Sequence, residues 1–300
     1  MRVMGDHSDA LFFWAEHKAK ARTVVHIDAH SDFRPISPSD IDQIRTLLAK
    51  GTLQSRTNTG PDSLLHIGNF VFAAGKLGMV KDVYWIVTPL PIVNDTAADT
   101  FKKQLIHDRH MPEEVDSAFR LESGCMAGSL QGIPITVCGS ASLPKLEEPV
   151  LLDIDIDYFV KLIELFPAMT LFDHVERLRS NLAASGIRSD MVTIAKSLNG
   201  KFTPIEYVYL AAAMREMAKD PSRPLTGPFW EIFRLRSDAD ARMREGNLPA
   251  ARKALEAILE ELPGDSHAHY LLAKIATEQG ETSPFLAFSD FIRRLFLHQP

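Results

Sequence analysis

The chain has 300 residues, 45% of them hydrophobic, and a formal net charge of −6 without a basic block. This length and composition allow a sizeable core, and the charge argues against a surface that binds nucleic acid. Apolar runs stay shorter than about 18 residues, so the sequence predicts no membrane span.

The first residues and the two cysteines predict a compartment. The start, Met-Arg-Val-Met-Gly-Asp, has no apolar stretch of the kind found in signal peptides. Cys125 and Cys138 lie in ordinary sequence without paired spacing, so we expect free buried thiols. Both features favour a reducing cytoplasm.

Apolar β-rich runs alternate with stretches of helical periodicity over the first 225 residues. The predicted strands are 2–4, 23–27, 83–87, 133–137, 149–156 and 191–194. The predicted helices are 10–20, 41–49, 65–77, 97–106, 171–183 and 204–218. This alternation predicts an α/β fold of three layers, in which a parallel sheet has helices on both faces. Ligands of such sheets bind at the carboxyl ends of the strands.

From about residue 226 the sequence is helical and shows no strand signal. Gly280 follows Gly246 by 34 residues, which is the period of tetratricopeptide (TPR) repeats. We therefore predict two domains, an α/β domain at 1–225 and an all-helical, TPR-like segment at 226–300. A plain helical hairpin with coincidental spacing is the alternative. The segment could guide a peptide substrate or build a homodimer.

Three short stretches carry acids and histidines beside predicted strands. They are Gly5-Asp6-His7-Ser8, His26-Ile27-Asp28-Ala29-His30-Ser31-Asp32 and Leu152-Asp153-Ile154-Asp155-Ile156-Asp157. Alternate side chains of a strand share one face, so we expect Asp28, His30 and Asp32 to point the same way. The same holds for 153, 155 and 157. Acids at this spacing repel one another, and a bound cation removes the repulsion.

Six residues are predicted metal ligands: His7, Asp28, His30, Asp32, Asp153 and Asp155. Carboxylates and imidazoles without thiolates suit Mn²⁺ better than structural zinc. Four carboxylates exceed the charge of one divalent ion, so two Mn²⁺ ions per chain are predicted. Such a pair lowers the pKa of a bridging water toward neutrality. His26 lies one residue off the ligand face, and we interpret it as a core histidine.

The order of these motifs resembles that of the arginase/deacetylase superfamily. Asp28-Ala29-His30-Ser31-Asp32 looks like its Asp-Ala-His-x-Asp signature, Gly5-Asp6-His7-Ser8 is similar to the motif that precedes it, and Leu152-Asp153-Ile154-Asp155 is similar to its later Asp-x-Asp strand. A narrower resemblance, to a divergent family that includes the peptide arginases of ribosomal-peptide biosynthesis, covers most of residues 3–215. It is carried by Asp6-His7-Ser8-Asp9-Ala10-Leu11, His66-Ile67-Gly68-Asn69-Phe70, Val83-Tyr84-Trp85-Ile86, Leu152-Asp153-Ile154-Asp155-Ile156-Asp157-Tyr158-Phe159 and Thr193-Ile194-Ala195-Lys196-Ser197.

The resemblance implies a peptide arginase, a binuclear manganese hydrolase. Its substrate would be a precursor peptide, whose arginine becomes ornithine with release of urea through a metal-bridging hydroxide. His66 would shuttle protons, although a histidine that bonds the backbone at a helix start is the alternative. Asp155 would serve both as ligand and in catalysis.

One departure concerns the acid that holds the guanidinium group. Arginases place a glutamate on a further strand, and here the chain passes into helix instead. Asp157 and Glu206 are the candidates to replace it, while Asp157 could equally cap a backbone amide. Asn69 could orient substrate or simply make its helix polar.

Other functions remain open at the level of sequence. A metal-dependent amide hydrolase (deacetylase) acting on acylated amines is one, but that branch holds one zinc ion and lacks the first histidine ligand. A small-molecule ureohydrolase acting on arginine or agmatine is another. A phosphoesterase needs a motif that His66-Ile67-Gly68-Asn69-Phe70 does not match. A non-enzymatic helical adaptor predicts lost ligands, whereas all six are present.

Overall fold

A computed structural model describes residues 1–53, 63–88, 94–107, 119–198 and 201–280. The chain divides into two compact units. The first comprises Met1–Leu162 and Arg177–Arg223, and the second comprises Ile163–Glu176 and Pro224–Pro300. The boundary between Arg223 and Pro224 lies close to the predicted boundary between residues 225 and 226. The second unit also includes Ile163–Glu176, which the prediction assigns to the α/β domain.

An eight-stranded sheet forms the first unit, with the order β1-β8-β7-β2-β3-β6-β5-β4. The strands are β1 (Arg2–Met4), β2 (Arg22–Ile27), β3 (Val80–Val87), β4 (Arg120–Glu122), β5 (Cys125–Leu130), β6 (Ile133–Gly139), β7 (Val150–Asp155) and β8 (Ser189–Ala195). The six strands from β1 to β6 in that order are parallel, as predicted. The α/β class is thus confirmed, but the sheet is mixed.

The antiparallel part is an edge formed by β4, β5 and β6. Neither β4 nor β5 was predicted, because β4 has only three residues and β5 is rich in small residues (Cys-Met-Ala-Gly-Ser-Leu). The turn between β5 and β6 places Gln131 and Gly132 at φ +49° and +82°. Positive φ at both central positions is typical of two-residue hairpin turns.

The helices of the described residues fall between and after the strands. They are α1 (Asp9–Glu16), α2 (Pro38–Ala49), α3 (Phe70–Lys76), α4 (Asp95–His107), α5 (Asp157–Leu165), α6 (Leu171–Ala184), α7 (Leu210–Lys219), α8 (Pro228–Arg244), α9 (Leu248–Glu261) and α10 (Ser266–Glu278). All six residues of β7 are buried. Because successive side chains of a strand point to opposite faces, both faces of the sheet are covered there. Within the described part of the chain, no helix is long and apolar enough to cross a membrane.

The two cysteines correct one prediction. Cys125 of β5 lies opposite Cys138 of β6, with their Cα atoms 4.6 Å apart, and the two form a disulfide. The expectation of free thiols was wrong, because the pairing depends on a hairpin that the sequence analysis did not find. Disulfides are typical of oxidising compartments, so the cysteines no longer support the predicted cytoplasmic location.

The second unit contains α8, α9 and α10. Its apolar core consists of Ala239, Ala251, Leu255, Ile258, Ala268, Leu271 and Ile275. The side chains of Asn247 and Asp265 accept hydrogen bonds at the starts of α9 and α10, as helix caps do. The unit is helical in its described part, whereas the TPR-like repeat stays a prediction and residues 281–300 lie outside the described part.

Candidate metal centre

The acidic motifs meet where four neighbouring strands end. β1, β8, β7 and β2 are parallel neighbours, so the segments that follow them lie side by side. His7 follows β1, Asp28 follows β2, and Asp155 ends β7. These three residues and Asp153 are at most 2% exposed. The predicted clustering of the motifs is therefore present in the fold.

The predicted common strand face is only partly correct. Asp153 and Asp155 do share a face of β7, but β2 ends at Ile27, before the first acid of its motif. The segment from Asp28 to Asp32 is irregular, and Asp32 has a φ of +48°. Asp157 begins helix α5. A loop and a helix start, rather than strand alternation, bring these side chains together.

Local hydrogen bonds hold the segments in place. Ser8 donates to Oδ1 of Asp6 twice, from its hydroxyl at 2.6 Å and from its backbone N–H at 3.0 Å, which fixes the turn that carries His7. Nε1 of Trp85 donates to the backbone oxygen of Asp28 at 3.0 Å. The acids also hold this backbone, since Asp28 accepts from the His30 backbone N–H at 2.7 Å and Asp155 accepts from the Asp157 backbone N–H at 3.0 Å.

The first group of polar atoms surrounds Nδ1 of His7. That nitrogen lies 3.0 Å from Oδ2 of Asp28, 3.2 Å from Oδ2 of Asp32 and 3.0 Å from Oδ2 of Asp155. His7 Nδ1 and Asp28 Oδ2 are buried, and neither has a hydrogen-bond partner among the described residues. Buried polar atoms are normally paired, so a missing partner is implied.

A divalent cation fits this arrangement. Two atoms that bind one ion at about 2.1 Å and at right angles lie about 3.0 Å apart. The observed separations of 3.0 to 3.2 Å around His7 agree with that spacing. The donor set of one imidazole and three carboxylates also suits Mn²⁺.

A second group includes His30. Its Nδ1 lies 2.9 Å from Oδ2 of Asp157 and 3.5 Å from Oδ1 of Asp28. Ligand atoms of these three residues lie within 4.8 Å of one another. Asp28 thus contributes one oxygen to each group and connects them. These buried histidines and aspartates could hold metal ions.

Asp153 lies behind His7. Its Oδ2 is 2.9 Å from Nε2 of His7 and 2.8 Å from Nδ1 of His26, and its Oδ1 accepts a hydrogen bond from the Thr193 hydroxyl. His26 is fully buried in β2, as expected of a core histidine, yet it contacts the cluster. Its Nε2 lies 3.4 Å from Oδ2 of Asp28.

The neighbouring acids raise the pKa values of the His7 and His30 imidazoles. Burial lowers the pKa of His7, but the charges of Asp153 and Asp155 outweigh it and raise that pKa well above its usual range. Burial also lowers the pKa of His30, yet its hydrogen bond to Asp157 helps to raise that pKa to about 11. Metal ions therefore compete with protons for these nitrogens.

The carboxyl groups shift in different directions. Burial and the charge of Asp28 raise the pKa of Asp32 to about 6. Burial and the charges of Asp155 and Asp28 raise the pKa of Asp157 well above its usual range. Burial opposes ionisation of Asp28 too, but its close contacts with the His30 and His7 rings hold its pKa well below the usual value.

Binding of Mn²⁺ is expected to release protons, because ions displace them from His30 and Asp157. Calorimetric titration at pH 7 in buffers of different ionisation enthalpy checks this: the apparent binding enthalpy should vary with the buffer. Affinity should also rise from pH 6 to pH 8. An enthalpy and an affinity that depend on neither buffer nor pH would contradict the proton competition.

A cavity of about 260 Å³ opens beside the cluster. It is lined by His7, His30, Ser31, Asp32, Arg34, His66, Ile67, Gly68, Asp155, Asp157, Ser197 and Phe202. Asp28, Asp153 and His26 are not among the lining residues and lie beneath its surface. Members of both polar groups therefore line the cavity, namely His7, Asp32 and Asp155 of the first and His30 and Asp157 of the second.

His66 lines the cavity beside Arg34. Its Nδ1 accepts a hydrogen bond from the backbone N–H of Gly68 at 3.0 Å. In the neutral ring the proton is therefore on Nε2. Burial and the charge of Arg34 lower the pKa of His66, against a smaller opposite effect of Asp6. A mostly neutral imidazole at pH 7 results.

The predicted substrate-binding residues lie in different places. Asp157 lines the cavity but belongs to the His30 group. Asn69 is buried, accepts from the His66 backbone N–H at 2.9 Å and donates to the Leu64 backbone at 3.2 Å, so it braces the turn before α3. Glu206 lies in a short 3₁₀ helix and is not among the residues that line the cavity.

Arg34 and Phe202 also line the cavity, and neither was predicted as a site residue. Arg34 sits two residues after the Asp-Ala-His-x-Asp motif, and its backbone N–H donates to Gly68 at 3.0 Å. Phe202 is 40% exposed, and its ring lies 4.8 Å from that of His30 in an edge-on arrangement. Both occur in irregular segments, where periodicity carries no signal. The proximity of Arg34 to the motif was the available hint.

Comparison with known proteins leaves the family open. The chain matches no protein-family model, and no curated protein matches it. The function is therefore argued from the site itself.

Proposed function

We propose that this chain is a two-metal hydrolase of peptidyl arginine, which releases urea and leaves ornithine in the peptide. The observation that carries the proposal is the pair of imidazole–carboxylate groups joined through Asp28. Two adjacent ions suit the addition of water to a guanidinium carbon, and the resemblance to arginases implies that reaction.

The ligand set differs from the sequence prediction at one position. One ion would be held by His7, Asp28, Asp32 and Asp155, and the other by His30, Asp28 and Asp157. Asp157 thus takes the ligand role predicted for Asp153, whose oxygens bond to His7, His26 and Thr193. The four proposed carboxylate ligands carry a charge of −4, which two divalent ions balance.

When bound, the ions would acidify a water and stabilise charge at the reacting carbon. The elements of water add to Cζ of the substrate arginine, the Cζ–Nε bond breaks, and its electron pair stays on Nε. The two protons of the water end on the departing amine, so the products are urea and an ammonium group. His66 lines the cavity, and in its imidazolium form it would give the Nε2 proton to that amine; its lowered pKa favours the return to the neutral ring afterwards.

Holding the guanidinium group requires a partner other than the predicted acids. Asp157 is assigned to the metal centre, and Glu206 does not line the cavity. Phe202 offers an exposed aromatic face there, and aromatic faces attract guanidinium groups. We propose that the guanidinium group of the substrate stacks on the ring of Phe202.

Arg34 favours a second candidate function. Arg34 lines the same cavity, and its positive charge helps to lower the pKa of His66 there. A positive charge there repels a cationic substrate but not a neutral amide. A metal-dependent amide hydrolase acting on acylated amines is therefore the alternative.

The test offers four substrates in parallel to the Mn²⁺-loaded protein: an arginine-containing peptide, free arginine, agmatine and an acetyl-lysine peptide. Mass spectrometry should show loss of a cyanamide unit from the arginine peptide, with matching urea. Conversion of the free compounds would identify a small-molecule ureohydrolase. Deacetylation alone would establish the second candidate and refute the first.

His66→Asn is expected to lower kcat by roughly 10²- to 10⁴-fold, because it removes the proton donor. Mn²⁺ stoichiometry should stay at the wild-type value, since His66 is not a proposed ligand. His17→Asn is the matched control: this exposed histidine bonds the Phe13 backbone and is not among the residues lining the cavity. Full activity of His66→Asn would remove His66 from the mechanism.

A further inference from the structure

Two buried histidines share one carboxylate oxygen beneath the cavity. Oδ2 of Asp153 lies 2.9 Å from Nε2 of His7 and 2.8 Å from Nδ1 of His26. All three residues are at most 1% exposed. The hydroxyl group of Thr193 in β8 donates a hydrogen bond to the other oxygen, Oδ1. Asp153 is thus bonded on both oxygens by groups in the first unit.

The direction of these hydrogen bonds fixes the tautomers. An ionised carboxylate only accepts, so both ring nitrogens that face Asp153 carry protons. Asp153 Oδ2 faces two imidazole nitrogens and its Oδ1 accepts from the Thr193 hydroxyl, so an ionised carboxylate satisfies all three donors. A neutral His7 ring with its proton on Nε2 presents a lone pair at Nδ1, which is the atom surrounded by Asp28, Asp32 and Asp155.

The order of the sheet explains the arrangement. His26 and Asp153 are partners in the parallel register of β2 and β7, and Asp153 and Thr193 are partners in that of β7 and β8. Three adjacent strands thus place one residue each in a row under the cavity. Backbone pairing between the strands therefore sets the positions of these three residues.

We propose that Asp153, His26 and Thr193 form a positioning layer that orients His7 as a metal ligand and binds no ion itself. This inference rests on the metal centre proposed above. Carboxylates behind a metal-bound histidine fix its ring and raise its basicity, and their removal costs roughly 10- to 100-fold in metal affinity. His26 is the competing ligand candidate, because its Nε2 lies 3.4 Å from Asp28 Oδ2 without a hydrogen bond.

The first test uses the wild-type protein, labelled with ¹⁵N-histidine and loaded with ¹¹³Cd²⁺. We expect ¹¹³Cd–¹⁵N coupling at Nδ1 of His7 and of His30, and a proton on Nε2 of His7. Coupling at His26 would overturn the positioning layer but leave the metal centre intact. Absence of coupling at every histidine would overturn the metal centre, and the layer with it.

The second test compares substitutions of two alternate residues of β7, Asp153 and Asp155, which share a face. Asp153→Asn should still bind two Mn²⁺ ions at saturation, with affinity lowered roughly 10- to 100-fold. Asp155→Asn should lose at least one ion at any concentration. Equal loss of stoichiometry in the two variants would make Asp153 a ligand. If Asp153→Asn fails to fold, Thr193→Val takes its place. This substitution keeps the side-chain size and removes the hydrogen bond to Asp153 Oδ1, so a smaller loss of Mn²⁺ affinity is expected.

Discussion

Asp32→Asn is expected to make the metal-free protein more stable and the Mn²⁺-loaded protein less stable. In the metal-free state the buried Asp32 carboxylate faces the charge of Asp28, which helps to raise its pKa from 3.8 to about 6. Asparagine removes that charge. With metal present, the same substitution removes a proposed ligand and therefore part of the stabilisation that ion binding provides.

The sign of the pH dependence follows from the raised pKa. When a carboxyl group has a higher pKa in the folded than in the unfolded state, its ionisation destabilises the folded state. The metal-free wild-type protein should therefore lose stability as the pH rises from about 4 to about 6. At pH 7.5 the gain from Asp32→Asn should reach up to about 3 kcal/mol, and it should disappear near pH 4. Thermal unfolding with and without chelator measures both.

Asp42→Asn is the matched control for this experiment. Asp42 is exposed, pairs with Arg45 three residues later and belongs to α2, outside the cavity lining. Its replacement should shift stability by at most about 0.5 kcal/mol with or without metal. A metal-free Asp32→Asn protein that is less stable than wild type at pH 7.5 would show that the acids form a structural network instead.

Asp28→Asn is expected to abolish activity. Asp28 supplies one oxygen to the His7 group and the other to the His30 group, so its loss weakens both proposed ion sites. A metal centre contributes several kcal/mol to the transition state, so the fall in kcat/KM should be on the order of 10³ or more. Inductively coupled plasma mass spectrometry should find less than one tightly held ion per chain.

The backbone of the site gives reason to expect that this variant folds. Trp85 bonds the backbone oxygen of Asp28, which the substitution leaves in place. Asp42→Asn again serves as the control. An Asp28→Asn protein that keeps two ions and more than a tenth of wild-type activity would contradict the assignment of Asp28 as the shared ligand.

Much of the site was predictable because its residues follow strands with strong apolar patterns. The apolar pattern predicts where β2 and β7 end to within about two residues, and parallel strands bring their carboxyl ends together. Asp28, Asp155 and the two histidines His7 and His30 were predicted from sequence as metal ligands, and the structure brings their side chains together. The parallel core of the sheet was predictable for the same reason.

The choice between Asp153 and Asp157 was not predictable from spacing. Asp153, Asp155 and Asp157 form two equivalent Asp-x-Asp pairs, and only the point where β7 ends decides which pair reaches the cavity. Asp157 begins a helix and turns toward His30. The disulfide escaped prediction for a related reason, since it depends on which residues a hairpin sets opposite one another.

The most direct test of the two-ion centre is anomalous diffraction from a crystal of the Mn²⁺-loaded protein, recorded at the manganese edge. Two peaks are expected, one beside Nδ1 of His7 and one beside Nδ1 of His30, with Asp28 reaching both and Asp153 reaching neither. A single peak, or a peak bound by His26 and Asp153, would contradict the account.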